Sequence, residues 1–135
     1  MRRLPILLMI AMVALSIVSC SHNGPTTVES ISLAKDDGSG KAGETVESLK
    51  PSDKKFFAVV KLDKGVDAKL KADLIAVDTP EGKNIQVLTQ DYAVGGLENT
   101  VTLTYTLPQD WPAGSYKIDV SLDGKPAKSK EFMIQ

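Results

Sequence analysis

Reactive side chains are scarce in this sequence, and their positions restrict the chemistry open to the protein. The chain has one cysteine, Cys20, and one histidine, His22, and its two arginines occupy positions 2 and 3. Everything after His22 therefore lacks the residue types of Ser-His-Asp and Cys-His nucleophilic sites and of Cys/His zinc sites. It also lacks the guanidinium group that usually binds carboxylates and phosphates through two parallel hydrogen bonds. We therefore expect no catalytic residues, no cofactor and no metal.

The residues before Cys20 indicate that its thiol is modified. Two arginines precede an apolar run over 4–18, which is 15 residues long and shorter than the roughly 20 residues of a membrane-spanning helix. The run ends in Ile17-Val18-Ser19-Cys20. Together these features resemble the signal peptide and lipobox of bacterial lipoproteins. The resemblance implies cleavage after Ser19, so that 1–19 is the signal peptide, and lipidation of Cys20.

The resemblance also implies a location. Ser21 follows the cysteine, whereas an aspartate there would resemble an inner-membrane retention signal of enterobacteria-like systems. We therefore expect a lipid anchor in a membrane, and the outer membrane is favoured. Residues 20–27 are polar and contain Gly24 and Pro25, which predicts a flexible tether. His22 lies in this tether and is interpreted as a solvated residue.

The remaining chain is mildly acidic and has the length of one domain. From Cys20 onward, 14 lysines stand against 17 aspartates and glutamates. Because clustered basic residues are absent, nucleic acid is not an expected partner. Residues 28–135 are therefore assigned to a single folded domain behind the tether.

Short apolar runs separated by turn residues fill this domain. In 101–107, apolar side chains alternate with three threonines, the period of two that is typical of a strand with one buried face. The runs predict strands over 28–34, 56–62, 70–77, 85–94, 101–107, 116–122 and 128–134. Since no convincing helix separates them, we predict an all-β antiparallel sandwich of seven to eight strands. Asp123-Gly124 further predicts a type I′ hairpin turn between the last two strands.

The C-terminal part resembles the closing strands of bacterial immunoglobulin-like domains. It contains a Pro-Ala-Gly-x-Tyr sequence over 112–116, an Asp-Gly-Lys hairpin and a final Phe-x-aliphatic strand. The resemblance implies an immunoglobulin-like β-sandwich with a tyrosine corner at Tyr116, and Ile118 in the place of an antibody domain's second cysteine. Leu74 or Ile75 would fill the space of the missing core tryptophan. Since this fold hosts many functions, the function has to be argued from a site.

Loops at the ends of such sandwiches commonly bind partners. The candidate binding residues are Trp111, Asp78, Glu81 and Asn84 of the turn-rich connection 78–84, and Tyr92. For Trp111 the alternatives are an exposed contact residue and, preferred, a plug at one end of the sandwich. The acidic, glycine-rich loop 36–44 lacks the alternating carboxylates of a calcium-binding loop and is interpreted as solvated.

Three functions are compatible with these features. The leading hypothesis is a membrane-anchored, non-catalytic module that binds an envelope protein or a glycan. The alternative is a structural or envelope-assembly spacer without a ligand of its own. A third hypothesis is a hydrolase built on carboxylates alone, which for glycoside chemistry needs two carboxyl groups about 5 to 9.5 Å apart in one cleft.

Overall fold

The alternating segments of the sequence form β-strands in a computed structural model that describes residues 26–65 and 67–135. The proposed signal peptide, Cys20, His22 and all but the end of the tether lie outside these residues. The strands of the described part are β1 Val28–Asp36, β2 Ala42–Val46, β3 Ser48–Leu49, β4 Lys55–Leu62, β5 Ala68–Thr79, β6 Gly82–Val94, β7 Thr100–Thr106, β8 Gly114–Leu122 and β9 Lys125–Ile134. Within the same residues, no helix has the length and hydrophobicity needed to cross a membrane.

The strands form two sheets of unequal width. One has four strands in the order β2-β1-β4-β7, and the other has five in the order β3-β9-β8-β5-β6. The pairings are antiparallel except for β3 with β9. Buried side chains from both sheets form one core. The predicted all-β antiparallel sandwich is therefore confirmed, and each of the seven predicted strands is present.

Two strands were not located from the sequence. β2 and β3 lie in residues 42–49, where Leu49 is buried and most other side chains are exposed. Without an alternating apolar pattern, these residues carry no strand signal. Tertiary pairing makes them strands: β2 pairs with the edge of β1, and β3 pairs with β9. The end of the predicted solvated loop 36–44 therefore belongs to β2.

Aromatic rings occupy the space between the sheets. Phe56 stacks on Tyr105 at a centroid distance of 5.2 Å, and it contacts Trp111 at 5.2 Å and Phe132 at 6.0 Å. Tyr116 stacks on Phe132 at 5.7 Å. We call these five residues the aromatic cluster. Because each favourable ring pair adds about 0.5–1.5 kcal/mol beyond the burial of its area, the cluster joins the two sheets strongly.

The signature features of the C-terminal strands are present. The Tyr116 hydroxyl donates a hydrogen bond of 2.5 Å to the Pro112 carbonyl, which confirms the tyrosine corner. Asp123 and Gly124 have φ values of 49° and 80°, as the predicted type I′ turn requires. Leu74 is fully buried and is the cross-strand partner of Ile118, so Leu74 rather than Ile75 fills the core at this level.

Hydrogen bonds hold the start of β1 to the end of the sandwich at which it lies. The Thr27 N–H donates to the Asp63 carboxylate (2.9 Å), and the Asp63 N–H donates to the Thr27 carbonyl (3.1 Å). The loops 63–65 and 95–99 and the turn 123–124 lie at this end, which we call the N-terminal end. The loops 50–54 and 107–113 and the turn 80–81 lie at the opposite end, which we call the far end.

Two buried tyrosines should respond oppositely to loss of their hydroxyl groups. Tyr116→Phe should lower the free energy of unfolding by about 1 kcal/mol, because it removes a buried hydrogen bond. Tyr105→Phe should leave it unchanged or raise it, since the buried Tyr105 hydroxyl has no partner among the described residues. Urea denaturation followed by Trp111 fluorescence measures both variants. A loss at Tyr105 equal to that at Tyr116 would contradict this assignment.

The Thr27–Asp63 pair should make stability depend on pH. The Thr27 N–H holds the pKa of the Asp63 carboxyl below its ordinary value, about 3.9. A lowered pKa in the folded state stabilises above the ordinary pKa, and this contribution is lost as the pH falls through the lowered pKa. Asp63→Asn should therefore lower the melting temperature at pH 7, and the difference from wild type should be smaller at about pH 3, below the ordinary carboxyl pKa. An equal difference at both pH values would show that charge is not involved.

Candidate functional site

The predicted binding residues do not form one site. The β5–β6 hairpin closes with Thr79 paired to Gly82, so the expected connection over 78–84 is in fact a two-residue turn. Asp78 is the second-last residue of β5, Glu81 lies in the turn, and Asn84 lies in β6 with a φ of 51°. Tyr92 also belongs to β6, but it pairs with Leu70 near the N-terminal end. Asp78, Glu81 and Asn84 thus share the far end, and Tyr92 is separated from them by the length of the hairpin.

Trp111 lies in the core and not on the surface. Its side chain is 2% exposed, and its indole N–H donates to the Lys54 carbonyl at 3.3 Å. Its backbone N–H donates to the Pro51 carbonyl at 3.0 Å. The alternative that Trp111 is an exposed contact residue is therefore wrong, because packing in the aromatic cluster removes its ring from solvent. Trp111 plugs the far end and ties the β7–β8 connection to the loop before β4.

The acidic loop 36–44 uses its carboxylates internally. One Asp37 oxygen accepts the N–H groups of Ser39 (2.7 Å) and Lys41 (3.3 Å) and also the Ser39 hydroxyl (2.6 Å). These hydrogen bonds lower the pKa of Asp37, and the bond from the Ser39 hydroxyl contributes most. Asp36 accepts two glycine N–H groups in the same way. In the described ranges no cluster of His, Cys, Asp or Glu is arranged to hold a metal.

One pair of carboxylates does face each other. Asp73 of β5 and Asp119 of β8 are cross-strand partners on the outer face of the five-stranded sheet. Asp73 accepts the Thr89 hydroxyl at 2.7 Å; Asp119 accepts the Ser129 hydroxyl and lies 3.4 Å from the Lys117 ammonium group. No charged side chain among the described residues is buried. Both carboxylates line a cavity of about 470 Å³, but neither is buried. Because a general acid normally needs burial to raise its pKa, the pair gives the carboxylate-hydrolase hypothesis no support.

An exposed apolar surface on β6 was not recognised from the sequence. β6 is the last strand of its sheet, and Ile85, Val87 and Leu88 are 38%, 38% and 41% exposed. We call these three residues the edge stripe. Ile85 and Leu88 pair with the buried residues Ala76 and Leu74, so their side chains lie on the core-facing side of the sheet.

A shift in register explains why the edge stripe was missed. Strict alternation would place positions 85 and 88 on opposite faces of β6. An irregularity between Leu74 and Ile75 of β5 shifts the pairing by one residue, and this puts Ile85 and Leu88 on the same face. The only sequence signal of the edge stripe is the density of apolar residues over 85–88. That no strand covers these residues is visible only in the structure.

A cleft of about 210 Å³ adjoins the edge stripe at the far end. Ile85 and Val87 line one side, Leu107 and Gln109 come from the β7–β8 connection, and Glu81 supplies a carboxylate. Since small-molecule sites usually measure about 300–1,000 Å³, the cleft fits a single side chain better than a free ligand.

The phenol of Tyr116 also lines this cleft. Burial, with a smaller contribution from the Glu81 charge, raises the pKa of Tyr116. Its hydroxyl therefore stays protonated and keeps its hydrogen bond to the Pro112 carbonyl at neutral pH.

Comparison with known proteins supports the fold. No protein-family model matches the chain, and no curated protein sequence matches it. Among solved structures, the chain is similar to an immunoglobulin-like protein from Pseudomonas aeruginosa, with a TM-score of 0.54 and 15% sequence identity. The similarity covers 84% of this chain and 99% of that chain. The predicted immunoglobulin-like β-sandwich is therefore confirmed at the level of fold.

The edge stripe should contribute little to stability. Leu88→Thr keeps a strand-forming residue and removes an exposed apolar side chain, so the free energy of unfolding should change by no more than about 0.5 kcal/mol. Leu74→Ala, at the paired buried position, should cost about 2–5 kcal/mol. Chemical denaturation compares the two. A cost at Leu88 similar to that at Leu74 would place the edge stripe in the core.

Proposed function

We propose that this protein is a non-catalytic lipoprotein of the bacterial envelope, anchored by lipid on Cys20, whose immunoglobulin-like domain binds a protein partner. The lipobox sequence before Cys20 supports the anchor, and Ser21 favours the outer membrane. The absence of His, Cys and Arg after residue 22 supports a non-catalytic role. The core of the described residues buries no charged or polar residue, and this also supports a non-catalytic role.

The edge stripe is the observation that carries the binding proposal. An exposed edge strand offers unpaired backbone groups to another chain, and proteins usually protect such edges with lysines, prolines or short strands. β6 has 13 residues and no proline, and its one lysine, Lys83, lies near its start. No lysine or proline protects Ile85, Val87 and Leu88, and a β-bulge at Val87 is the one device that interrupts the regular edge here. These properties suit a partner that adds an extended segment to β6 and packs apolar side chains on the edge stripe.

The cleft beside the edge stripe adds a charge preference. The Glu81 carboxylate lines a cleft whose other walls include Ile85 and Leu107. A partner side chain with an apolar stem and a cationic end, such as lysine or arginine, is complementary to both features. The proposed partner segment is therefore apolar and extended, with a basic residue near the far end.

A protein is favoured over a glycan as the partner. Sugar rings usually pack against exposed aromatic rings, and among the described residues Tyr92 is the exposed aromatic side chain. Its hydroxyl is held by Glu98 at 2.7 Å, at the end of β6 away from the cleft. The surface at the cleft is aliphatic.

Photo-crosslinking in cells tests this proposal. A photoreactive amino acid replaces Leu88 in the lipidated full chain, and a matched control replaces Thr102, which is exposed on β7. We expect one reproducible protein adduct from position 88 and none from position 102. Val87→Lys in the position-88 chain should abolish the adduct, because it places a charge in the apolar contact.

Other outcomes separate the alternatives. Absence of a specific adduct at position 88 would favour the spacer function, and equal adducts at both positions would contradict the edge stripe as the binding surface. A Cys20→Ala chain, exported without lipid, shows whether capture requires the anchor. Mass spectrometry of the N-terminal peptide detects the lipid on Cys20 independently of the crosslinking result.

A further inference from the structure

Leu97 is the most conspicuous apolar residue on the surface of the described chain. Its side chain is 99% exposed, whereas the other large exposed hydrophobic residues are between 37% and 42% exposed. Scattered, partly exposed apolar residues are normal on proteins. Leu97 differs from them because its side chain makes almost no contact with its own protein, so its whole apolar surface is available to something else.

The loop holds Leu97 in a fixed position. The Glu98 N–H donates to the Gly95 carbonyl at 3.0 Å, which closes a turn with Leu97 as its third residue. The Glu98 carboxylate accepts the Gly95 N–H at 3.1 Å and the Tyr92 hydroxyl at 2.7 Å. Because the turn is already braced, a contact through Leu97 would cost little conformational entropy. Tyr92, a candidate binding residue from the sequence, thus acts here as a brace.

This turn lies beside the start of the domain. A Cβ atom on Gly65 would come within 2.8 Å of the Gly96 carbonyl oxygen, so the loops 63–65 and 95–99 are in direct contact. The Leu62 N–H donates to the Asn99 carbonyl at 2.8 Å. The next residue, Asp63, holds Thr27 through the pair of hydrogen bonds described above. Leu97 and the point where the tether enters the domain are therefore at the same end.

The length of the tether limits the distance from the lipid. Seven peptide units separate Cys20 from Thr27. Fully extended, they span at most about 25 Å. As a flexible chain they would span about 15 Å on average. A lipid on Cys20 would therefore keep the N-terminal end close to the membrane surface.

We infer that the N-terminal end of the sandwich rests on the lipid surface and that Leu97 inserts among the lipid headgroups. The inference rests on the Cys20 anchor proposed above. One leucine buries too little apolar area to hold a protein on a membrane, but a tethered leucine faces a high local concentration of lipid. The far end, with Glu81 and the cleft, then points away from the membrane, where a partner can reach it.

The charged residues at this end predict how the membrane contact depends on lipid composition. Asp63, Asp67, Glu98 and Asp123 lie at this end together with Lys64, Lys69 and Lys125, so acidic and basic side chains are nearly balanced. Attraction to anionic lipid therefore does not drive the contact, which depends on the apolar side chain. Insertion should be similar in vesicles of zwitterionic phosphatidylcholine and in vesicles with added phosphatidylglycerol, and added salt should change it little.

A fluorescent label at position 97 tests the contact. In the lipidated chain the single native cysteine carries lipid, so Leu97→Cys supplies one free thiol for an environment-sensitive fluorophore. Ser52→Cys, exposed at the far end, is the matched control. In phosphatidylcholine vesicles the label at 97 should shift its emission to shorter wavelengths. Spin-labelled lipid should quench it at least about twofold more than the label at 52, as for a group in the interface.

The outcomes distinguish this inference from the proposed function. Lipidated protein whose label at 97 stays as water-exposed as the label at 52 would overturn the inference and leave the anchor intact. A chain without lipid on Cys20, read by mass spectrometry, would overturn both. Hydrogen exchange of the unlabelled chain gives a second measurement. Amides in 95–99 should exchange more slowly on vesicles than in the Cys20→Ala chain, and Leu97→Asn should remove the protection; unchanged exchange would count against the contact.

Discussion

The packing of the aromatic cluster between the two sheets is the interaction on which the rest of the structure depends. The domain has no cysteine after residue 20 and therefore no disulfide, and no charged side chain in its described part is buried. Stability must come from apolar contact across the sandwich. Phe56 is central, since it contacts rings from β7, β9 and the β7–β8 connection. Through Trp111 and the Tyr116 hydrogen bond, the same cluster fixes the connection that lines the cleft.

The unequal width of the sheets creates the candidate binding surface. A five-stranded sheet lies against a four-stranded one, and β6 ends the wider sheet. Part of its core-facing side therefore has no covering strand, which leaves Ile85, Val87 and Leu88 exposed. The Gln90 side chain reaches the Thr104 carbonyl of β7 at 2.8 Å and partly bridges the gap. The surface is thus a consequence of topology, and its exposure costs little because the core is complete without it.

The two ends of the sandwich have different properties. At the N-terminal end, the Asp63 and Glu98 carboxylates accept hydrogen bonds from backbone N–H groups and so brace the loops around Leu97. At the far end, buried rings close the core and the cleft opens beside Glu81. The anchor that we propose at one end and the binding surface that we propose toward the other would suit a module that holds a partner at a distance from a membrane. Tyr92 and Glu81, both candidate binding residues from the sequence, belong to these separate ends.

The sequence by itself determined the elements that depend on local pattern. Alternation over 101–107 defined β7, Asp123-Gly124 defined the turn between β8 and β9, and Tyr116 defined the tyrosine corner, because each signal lies within a few neighbouring residues. Only the tertiary structure decided which side chains meet or remain uncovered. Trp111 is buried because rings distant in sequence surround it, and Ile85 and Leu88 share a face because β6 has an extra residue, Val87, in its pairing with β5. Leu97 lies beside the start of the domain because Leu62 pairs with Asn99 across 37 positions of the chain, a contact that no local pattern encodes.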